Sequence, residues 1–351
     1  MSPFVRFIVR RLLHIPFSLF IITLVLYGGV MLTPPEARAQ LYIPPNPKKI
    51  TENYINSLIR DNHLDEPYLV QYTRWIKSLA TGSWGYSPTL HEEVLPSLLR
   101  RTPITLELAI YSFLLFVPLG LAAGLLAGWK PESRFDNSFR SLAFFGTSVP
   151  PFILALAIMG VFYVNLGWFA PGRISYQFGR QILEEGYKSP TGFLTIDALI
   201  NGRFDILLDA LKHLAMPVVA LALYHWATLG RIMRATVIGE RAKDYIVAAK
   251  ARGVSEKRLV WKHGFRASLI PPLTSIALSA TSIVTGVFVI EMIYGIKGVS
   301  EVLVSSMLAE PDAPAALGFA IYSVIMVISL MVVLDIVQAV LDPRVREELS
   351  K

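Results

Sequence analysis

Six stretches of this chain are apolar for long enough to cross a hydrocarbon layer of roughly 30 Å, which takes about 20 helical residues. They run approximately over 8–32, 104–128, 142–166, 214–232, 269–293 and 315–341. Backbone amides in lipid must be satisfied inside each segment, so such runs fold as helices. The fold class expected is therefore all-α: a polytopic membrane protein with six transmembrane helices. A hydrophobic share of 53% against 17% charged residues agrees with a lipid-embedded chain rather than a soluble one. Arg6, Arg10 and Arg11 precede the first run as they would in a secretory leader. That run is longer than a leader's core and no small-residue cleavage site closes it, so it reads as a retained anchor. Pro16, Pro118 and Pro217 lie within or near the ends of spans, where neighbouring helices can satisfy the freed carbonyls.

Orientation follows from the basic residues, which stay on the cytoplasmic side. Arg6, Arg10 and Arg11, then Lys130, Arg134 and Arg140, then a long basic loop, then Arg344 and Arg346 alternate with loops of mixed charge. Both termini are placed in the cytoplasm, and the loops 34–103, 167–213 and 294–314 face outward. The domains expected are a cytoplasmic segment with the first span at 1–33, a small extracytoplasmic helical subdomain at 34–103, a five-helix core at 104–341 and a cytoplasmic tail at 342–351. In the subdomain, Leu69, Tyr72 and Ile76 have amphipathic spacing and Trp75 and Trp84 accompany them, which predicts short helices near the outer interface. The proline-rich stretch before them reads as extended. The loop 167–213 is expected to carry a short amphipathic helix near its end.

The cytoplasmic loop at 240–272 holds "DYIVAAKARGVSEKRLVWKHGFRASLIPP", with six Lys or Arg against two acids. It reads as helix, break, helix. Good helix formers run from Arg241 to Arg252, with Tyr245, Ala248, Ala249 and Arg252 at neighbouring positions. Gly253 can end that helix with positive φ, Ser255 can cap the next, and Glu256 favours its N-terminal dipole. A solvated basic loop would need no such break. A DNA-binding helix-turn-helix would need a compact third helix and freedom from the bilayer, so nucleic acid is not expected as a partner. A docking element for a cytoplasmic partner accounts for both the break and the small residues Ala248, Ala249 and Gly253.

The absence of cysteine removes disulfides, thiolate nucleophiles and thiolate metal sites. His14, His63, His91, His213, His225 and His263 show no His-Glu-x-x-His spacing, and there is no Gly-x-Ser-x-Gly elbow, so neither a metal site nor a hydrolase is expected. An ion-gradient-driven secondary transporter is the rival class. It would want ionisable groups at membrane depth, and the candidates Glu107, Glu291 and Asp335 read more simply as interfacial residues.

The basic loop resembles the EAA loop of the inner-membrane permease subunits of bacterial ABC importers, in the oligopeptide, dipeptide and nickel branch of the binding-protein-dependent transport family. Val247, Ala248, Ala249 and Gly253 occupy the positions of its Glu-Ala-Ala and glycine signature, with Val in place of Glu. "FIVRRLLHIPFSLFIITLVLY", "DEPYLVQYTRWIKSLATGSWGYS", "RRTPITLELAIYSFLLFVPLGLAAGLLAG", "HLAMPVVALALYHWATLGRIMRATV" and "LDPRVR" extend the resemblance along nearly the whole chain. Departures lie on the outer side: Thr33-Pro34-Pro35-Glu36 where Pro-Gly-Asp-Pro is usual, Ile296-Lys297-Gly298-Val299 where Pro-Gly-Leu-Gly is usual, and "EPDAPAALG" in place of an Arg-Asp-Tyr-Pro type motif.

The resemblance implies a transport subunit, not an enzyme, in a prokaryotic inner membrane. Its partners would be a second related permease, two ABC ATPases beneath and an extracytoplasmic solute-binding protein above. The chain carries no Gly-x-x-x-x-Gly-Lys-Ser/Thr loop, so ATP and magnesium would sit on the partner subunits and no cofactor on this one. Asp244, Tyr245, Ala248, Ala249, Lys250, Ala251, Arg252, Gly253, Val254, Ser255, Glu256 and Lys257 would form the ATPase-coupling loop, with a short helix over about 248–257 seated in an ATPase groove. Gly146, Ser148, Pro150, Gly286 and Glu291 are candidates for the translocation path. Peptide, nickel and oligosaccharide remain open as cargo.

Overall fold

The structure, a computed structural model, describes residues 3–39, 42–43, 51–183, 186–308 and 312–341, with side chains from 15 onward and, in the last helix, through 334 and at 336. In chain order the elements are α1 (Pro3–Met31), α2 (Pro35–Ala39), α3 (Glu52–Asp61), α4 (Tyr68–Ala80), the strands β1 (Tyr86–Ser87) and β2 (Glu92–Glu93), and α5 (Val94–Trp129). Then come α6 (Arg134–Ser148), α7 (Pro151–Met159) continued by a π-helix (Gly160–Asn165), α8 (Tyr176–Ile182), α9 (Leu194–Ile200) and α10 (Phe204–Arg241). The chain finishes with α11 (Asp244–Ala251), α12 (Glu256–Arg258), a second π-helix (Leu259–Gly264), α13 (Phe265–Ser268), α14 (Ile270–Tyr294), α15 (Ser300–Leu308) and α16 (Ala313–Leu341).

Among the described residues, four helices are long and apolar enough to cross a membrane: α5, α10, α14 and α16. The apolar part of α1, Ile15–Met31, is shorter. Over 142–166, where the third span is expected, the chain is not one continuous helix. In its place α6 and the α7 segment form a pair bent by 103°. Proline drives this break: Pro150 disfavours the helical region for the residue before it, and Val149 is extended at φ −104°, ψ 126°. Pro151 then starts α7 at a position where its missing N–H costs nothing.

Contacts divide the chain into two compact units, the first comprising Val5–Arg101 and Val299–Ile328, the second Thr102–Gly298 with the residues from Ser329. In the first unit, α4 packs on α1 through aromatic rings. Tyr27 stacks on Trp75 at 4.7 Å between centroids, and the Tyr68 hydroxyl donates to the Leu24 carbonyl at 2.6 Å. The expected stripe of Leu69, Tyr72 and Ile76 is only partly the packed face: Tyr72 is buried, but Leu69 is 66% exposed. Rings that also bring a hydroxyl to α1 win the contact, since that hydroxyl can satisfy a buried polar group. The stretch read as extended contains the short helix α2, because Pro35 suits a first helical position. Residues 44–50 lie outside the described ones. β1 and β2 form one antiparallel ladder, an addition to the all-helical expectation. Asp312 caps the start of α16 through the Ala315 N–H at 3.0 Å and accepts from the hydroxyls of Ser87 at 2.5 Å and Thr89 at 2.7 Å. Burial pushes the Glu92 carboxyl up, but hydrogen bonds from Arg101, Ser97 and Arg100 outweigh it and hold it below the usual carboxylate range.

In the second unit α10 is the central helix, packing against α14, α6, α7 and α9. Gly120, Gly124 and Gly128, four residues apart on α5, form one face turned to α10. A Cβ at Gly124 would stand 2.7 Å from Met233 Cβ, and one at Gly128 2.6 Å from the Arg234 carbonyl oxygen. Small residues of this kind let two backbones approach closely. Asp136 on α6 is fully buried and takes Arg234 of α10 in a two-toothed clamp, at 2.5 Å from Nε and 2.7 Å from Nη2.

Glu107 and Glu291 do not behave as interfacial residues. Glu107 is 2% exposed; it accepts from Arg173 Nη2 at 2.9 Å and from the Thr195 N–H and hydroxyl at 2.8 and 2.7 Å, so the segment holding α9 is folded onto α5. Glu291 is wholly buried and accepts from the Thr105 hydroxyl at 2.5 Å, and a Cβ at Gly298 would strike its carboxylate. Carboxylates with such donors in reach are held inside rather than reaching toward water. The side chain of Asp335 lies outside the described residues.

Candidate functional site

The basic loop is folded onto the ends of two long helices. α5 stops at Trp129, and its last carbonyl accepts from Arg241 Nη1 at 2.5 Å, at the last residue of α10. Beneath the loop, Trp129, Leu125, Met233 and Val237 pack with Ile246, Ala249, Leu259 and Val260. A Cβ at Gly264 would lie 2.6 Å from the Trp129 ring, so only glycine lets the second half of the loop close over that ring. The loop therefore has its own apolar floor, shared with the ends of α5 and α10. The exposed Lys130–Glu256 pair at 3.3 Å adds little, because both ends are solvated.

The predicted continuous helix from Arg241 to Arg252 is interrupted. α10 ends at Arg241, Lys243 is extended at φ −75°, ψ 146°, and α11 begins at Asp244, whose carboxylate favours a helix N-terminus. Gly253 adopts the positive φ expected of it, +76°, and ends the helix. Ser255 holds the N-cap position of α12 with extended backbone, but its hydroxyl makes no capping hydrogen bond. A single short helix over 248–257 is thus not present; the turn at Arg252–Gly253 divides it, since a left-handed residue cannot continue a right-handed helix.

Of the twelve residues assigned to the loop, Asp244, Tyr245, Ala248, Lys250, Ala251, Arg252, Gly253, Ser255, Glu256 and Lys257 are exposed, Val254 is half-buried and Ala249 is buried. Ala249 belongs to the floor, so it does not offer a partner a small contact. The exposed face gains two apolar residues that were not assigned to it, Val247 at 57% exposed and Trp261 at 47%. Tyr245 is anchored by donating to Glu240 Oε2 at 2.8 Å, and burial together with that carboxylate pushes its hydroxyl up to about 12. The face is thus basic at its rim, with apolar side chains between, and its backbone is fixed from below. The floor residues Ile246, Leu259 and Val260 went unassigned in the sequence; the helical spacing of Ile246 and Ala249 is the signal that marks them.

The five path candidates do not form one cluster of open side chains. Gly146 is buried against Leu223 and Ala227 of α10, and Gly286 is half-buried with Leu221 nearest. Ser148, whose hydroxyl donates to the Phe144 carbonyl at 2.7 Å, and Pro150 are exposed at the bend between α6 and α7. Glu291 is enclosed by protein. Among the described residues no group of His, Cys, Asp and Glu is placed to hold a metal ion.

Residues 120–347, which contain the whole loop, match the family described as the binding-protein-dependent transport system inner membrane component. The chain is 30% identical over 343 residues to the di/tripeptide transport system permease protein DppB of Pseudomonas aeruginosa, covering 97% of this chain and 99% of that one. It is 29% identical over 341 residues to the oligopeptide transport system permease protein AppB of Bacillus subtilis, covering 97% and 98%. To the dipeptide transport system permease protein DppB of Alkalihalophilus pseudofirmus it is 29% identical over 283 residues, 81% and 83% of the two chains. With its long apolar helices and its loop folded on the ends of two of them, the chain belongs to the family of binding-protein-dependent transport system inner membrane components.

Proposed function

We propose that this chain is one of two permease subunits of an ATP-driven importer of peptides, and that the loop 244–262 carries the motion of a partner ATPase into the helices. As a member of its family it is a multi-pass transport component of the bacterial inner membrane, not an enzyme. The observation that carries the reading is the loop's floor. Trp129, Ile246, Leu259 and Val260 join its exposed face to the ends of α5 and α10, so a push on the face is delivered to two long helices. Peptide as cargo is supported by the relatives that match end to end, which are di/tripeptide and oligopeptide permeases.

In this reading the chain crosses the membrane six times with both termini in the cytoplasm, and 34–103 forms the extracytoplasmic subdomain. A second permease completes the path, a solute-binding protein delivers cargo from outside, and two ATPases bind ATP and magnesium below. ATP favours the closed ATPase dimer and the outward-facing permease; hydrolysis resets it. Such a shift requires that nucleotide distinguish the two states, which a rigid shared element can transmit. Ser148, Pro150 and Gly286 are the path candidates with exposed or half-exposed positions.

The absence of cysteine makes the test clean. A cysteine replaces Ser255, which is exposed at the turn, and another is placed in the groove of the co-expressed ATPase. The expected result is a crosslink whose yield changes with nucleotide. Absence of a crosslink to any co-purifying ATPase, with uptake that survives ATP depletion and collapses with the ion gradient, would establish a secondary transporter instead.

A further inference from the structure

The first unit encloses a cavity of about 570 Å3, lined by aromatic side chains that include Tyr27, Tyr42, Trp75 and Trp84, and by two basic residues, Arg38 and His91. Arg38 is only 6% exposed. Its guanidinium is held by neutral acceptors: Nη2 donates to the Leu64 carbonyl at 2.7 Å, and Nη1 to Gln71 Oε1 at 2.9 Å and to the Met31 sulfur at 3.1 Å. Gln71 is itself fixed, its amide donating to the carbonyls of Leu64 at 3.0 Å and Glu66 at 2.6 Å. Arg38 Nε is buried and has no hydrogen-bond partner. Guanidinium keeps its charge at any physiological pH, and a buried charge is costly unless an opposite charge meets it. None of the described residues lining the cavity is acidic. The site thus has a rigidly oriented cation with no acid among the described residues beside it, aromatic walls, and a volume in the range of small-molecule pockets, about 300–1,000 Å3.

We propose that this cavity binds an oxyanion carried on an apolar body, a carboxylate or a phosphate ester, with Arg38 meeting the anion and the aromatic walls holding the body. Arginine suits both anions because its charge is permanent and a charge-assisted N–H bond to either oxyanion is stronger than one between neutral groups. Tyr27 and Trp75, stacked at 4.7 Å, give the body a flat wall. Two sources supply this chemistry in a membrane protein's surroundings: the free carboxylate of a hydrophobic peptide, and the phosphate of an anionic phospholipid. The inference does not rest on the coupling role of the loop, and failure of the crosslinking experiment would leave it standing.

The test uses the full chain, stripped of lipid in detergent, and two pairs of probes. One pair is leucyl-phenylalanine and its C-terminal amide, followed by calorimetry. The other is dioleoyl-phosphatidylglycerol and dioleoylglycerol, followed by native mass spectrometry. The expected result is that the anionic member of at least one pair binds saturably, one per chain, about tenfold or more tighter than its uncharged counterpart, the range set by loss of a charge-assisted hydrogen bond. Which pair responds identifies the source. Arg38→Gln should abolish the preference for the anion. Because that change also loosens the Leu64 and Gln71 contacts, Leu317→Trp serves as a second variant: it fills the cavity from α16 and leaves the arginine's partners in place. It should weaken anion binding by at least about tenfold while the circular dichroism spectrum stays unchanged. Equal affinity for charged and uncharged probes, undiminished binding to a folded Leu317→Trp chain, or no binding of either anion to the folded protein would overturn the proposal.

Discussion

Asp136 is fully buried and is met by a guanidinium that is still 21% exposed, so the two ends of the clamp are not equivalent. Removing the carboxylate leaves a charge that can turn to water; removing the arginine leaves one that cannot. Arg234→Met is therefore expected to destabilise the chain by about 3–5 kcal/mol, the usual cost of stranding a buried charge, and Asp136→Asn by less. The double variant Asp136→Leu with Arg234→Met should recover much of the loss, which thermal unfolding in detergent reads directly. Glu92 gives a prediction with a pH sign. Its folded-state value lies below 4.5, so its contribution is fully present above about pH 4.5 and is lost as pH falls through the depressed folded value. The difference in thermal midpoint between wild type and Glu92→Gln should be largest near neutral pH and vanish in acid. A difference that grows on acidification would reverse the sign of the argument. Neither pair could be read along the chain by spacing: Asp136 and Arg234 stand 98 residues apart, and Glu92 needed a turn and the start of a helix to meet its arginines.

Among the elements, the contact between α5 and α10 makes the sharpest prediction. Gly124→Leu forces a side chain into space already held by Met233 and the Gly230 backbone, and should cost at least about 1–3 kcal/mol or prevent assembly. Gly239→Ala, on the facing helix α10 and with nothing within 4 Å of an added Cβ, should be nearly neutral in the same unfolding measurement. The long helices were legible in the sequence because each apolar run is contained in one segment. So was the positive φ at Gly253, because only glycine takes it without strain. The bend between α6 and α7 was half legible: Pro150 and Pro151 announce a helix start, but an apolar run of adequate length hides the break. α15 carried no such signal. The basic loop's outline could be read, whereas the partners of its floor could not, since Trp129 reaches Ile246 and Gly264 only once α5 and α10 lie side by side.

For the whole molecule, the side of the membrane on which the basic loop lies turns on the bent pair. The segment Pro151–Asn165 spans about 22 Å at 1.5 Å per residue, short of a hydrocarbon core of about 30 Å, so by length alone it could enter and return on one side. α6 supplies the missing length differently. It carries exposed Phe135, Leu142, Phe144 and Phe145, and a helix with such side chains exposed can lie in the membrane interface and lead the chain into the bilayer. Charge then decides between one crossing and none. If the pair crosses, the basic loop 242–269 lies on the same side as Lys130, Arg134 and Arg140, as the preference of Lys and Arg for the cytoplasm requires. If the pair returns, the seven Lys and Arg residues of the loop face outward and the preference is violated at its strongest point. Single cysteines at Arg134 and Tyr176, the latter 80% exposed, are therefore expected to react with a membrane-impermeant maleimide from opposite sides, Tyr176→Cys in intact spheroplasts and Arg134→Cys only after lysis. Labelling of both from one side would make the pair re-entrant and turn the loop outward. It could then meet no cytoplasmic ATPase, and the proposed coupling would fail with it.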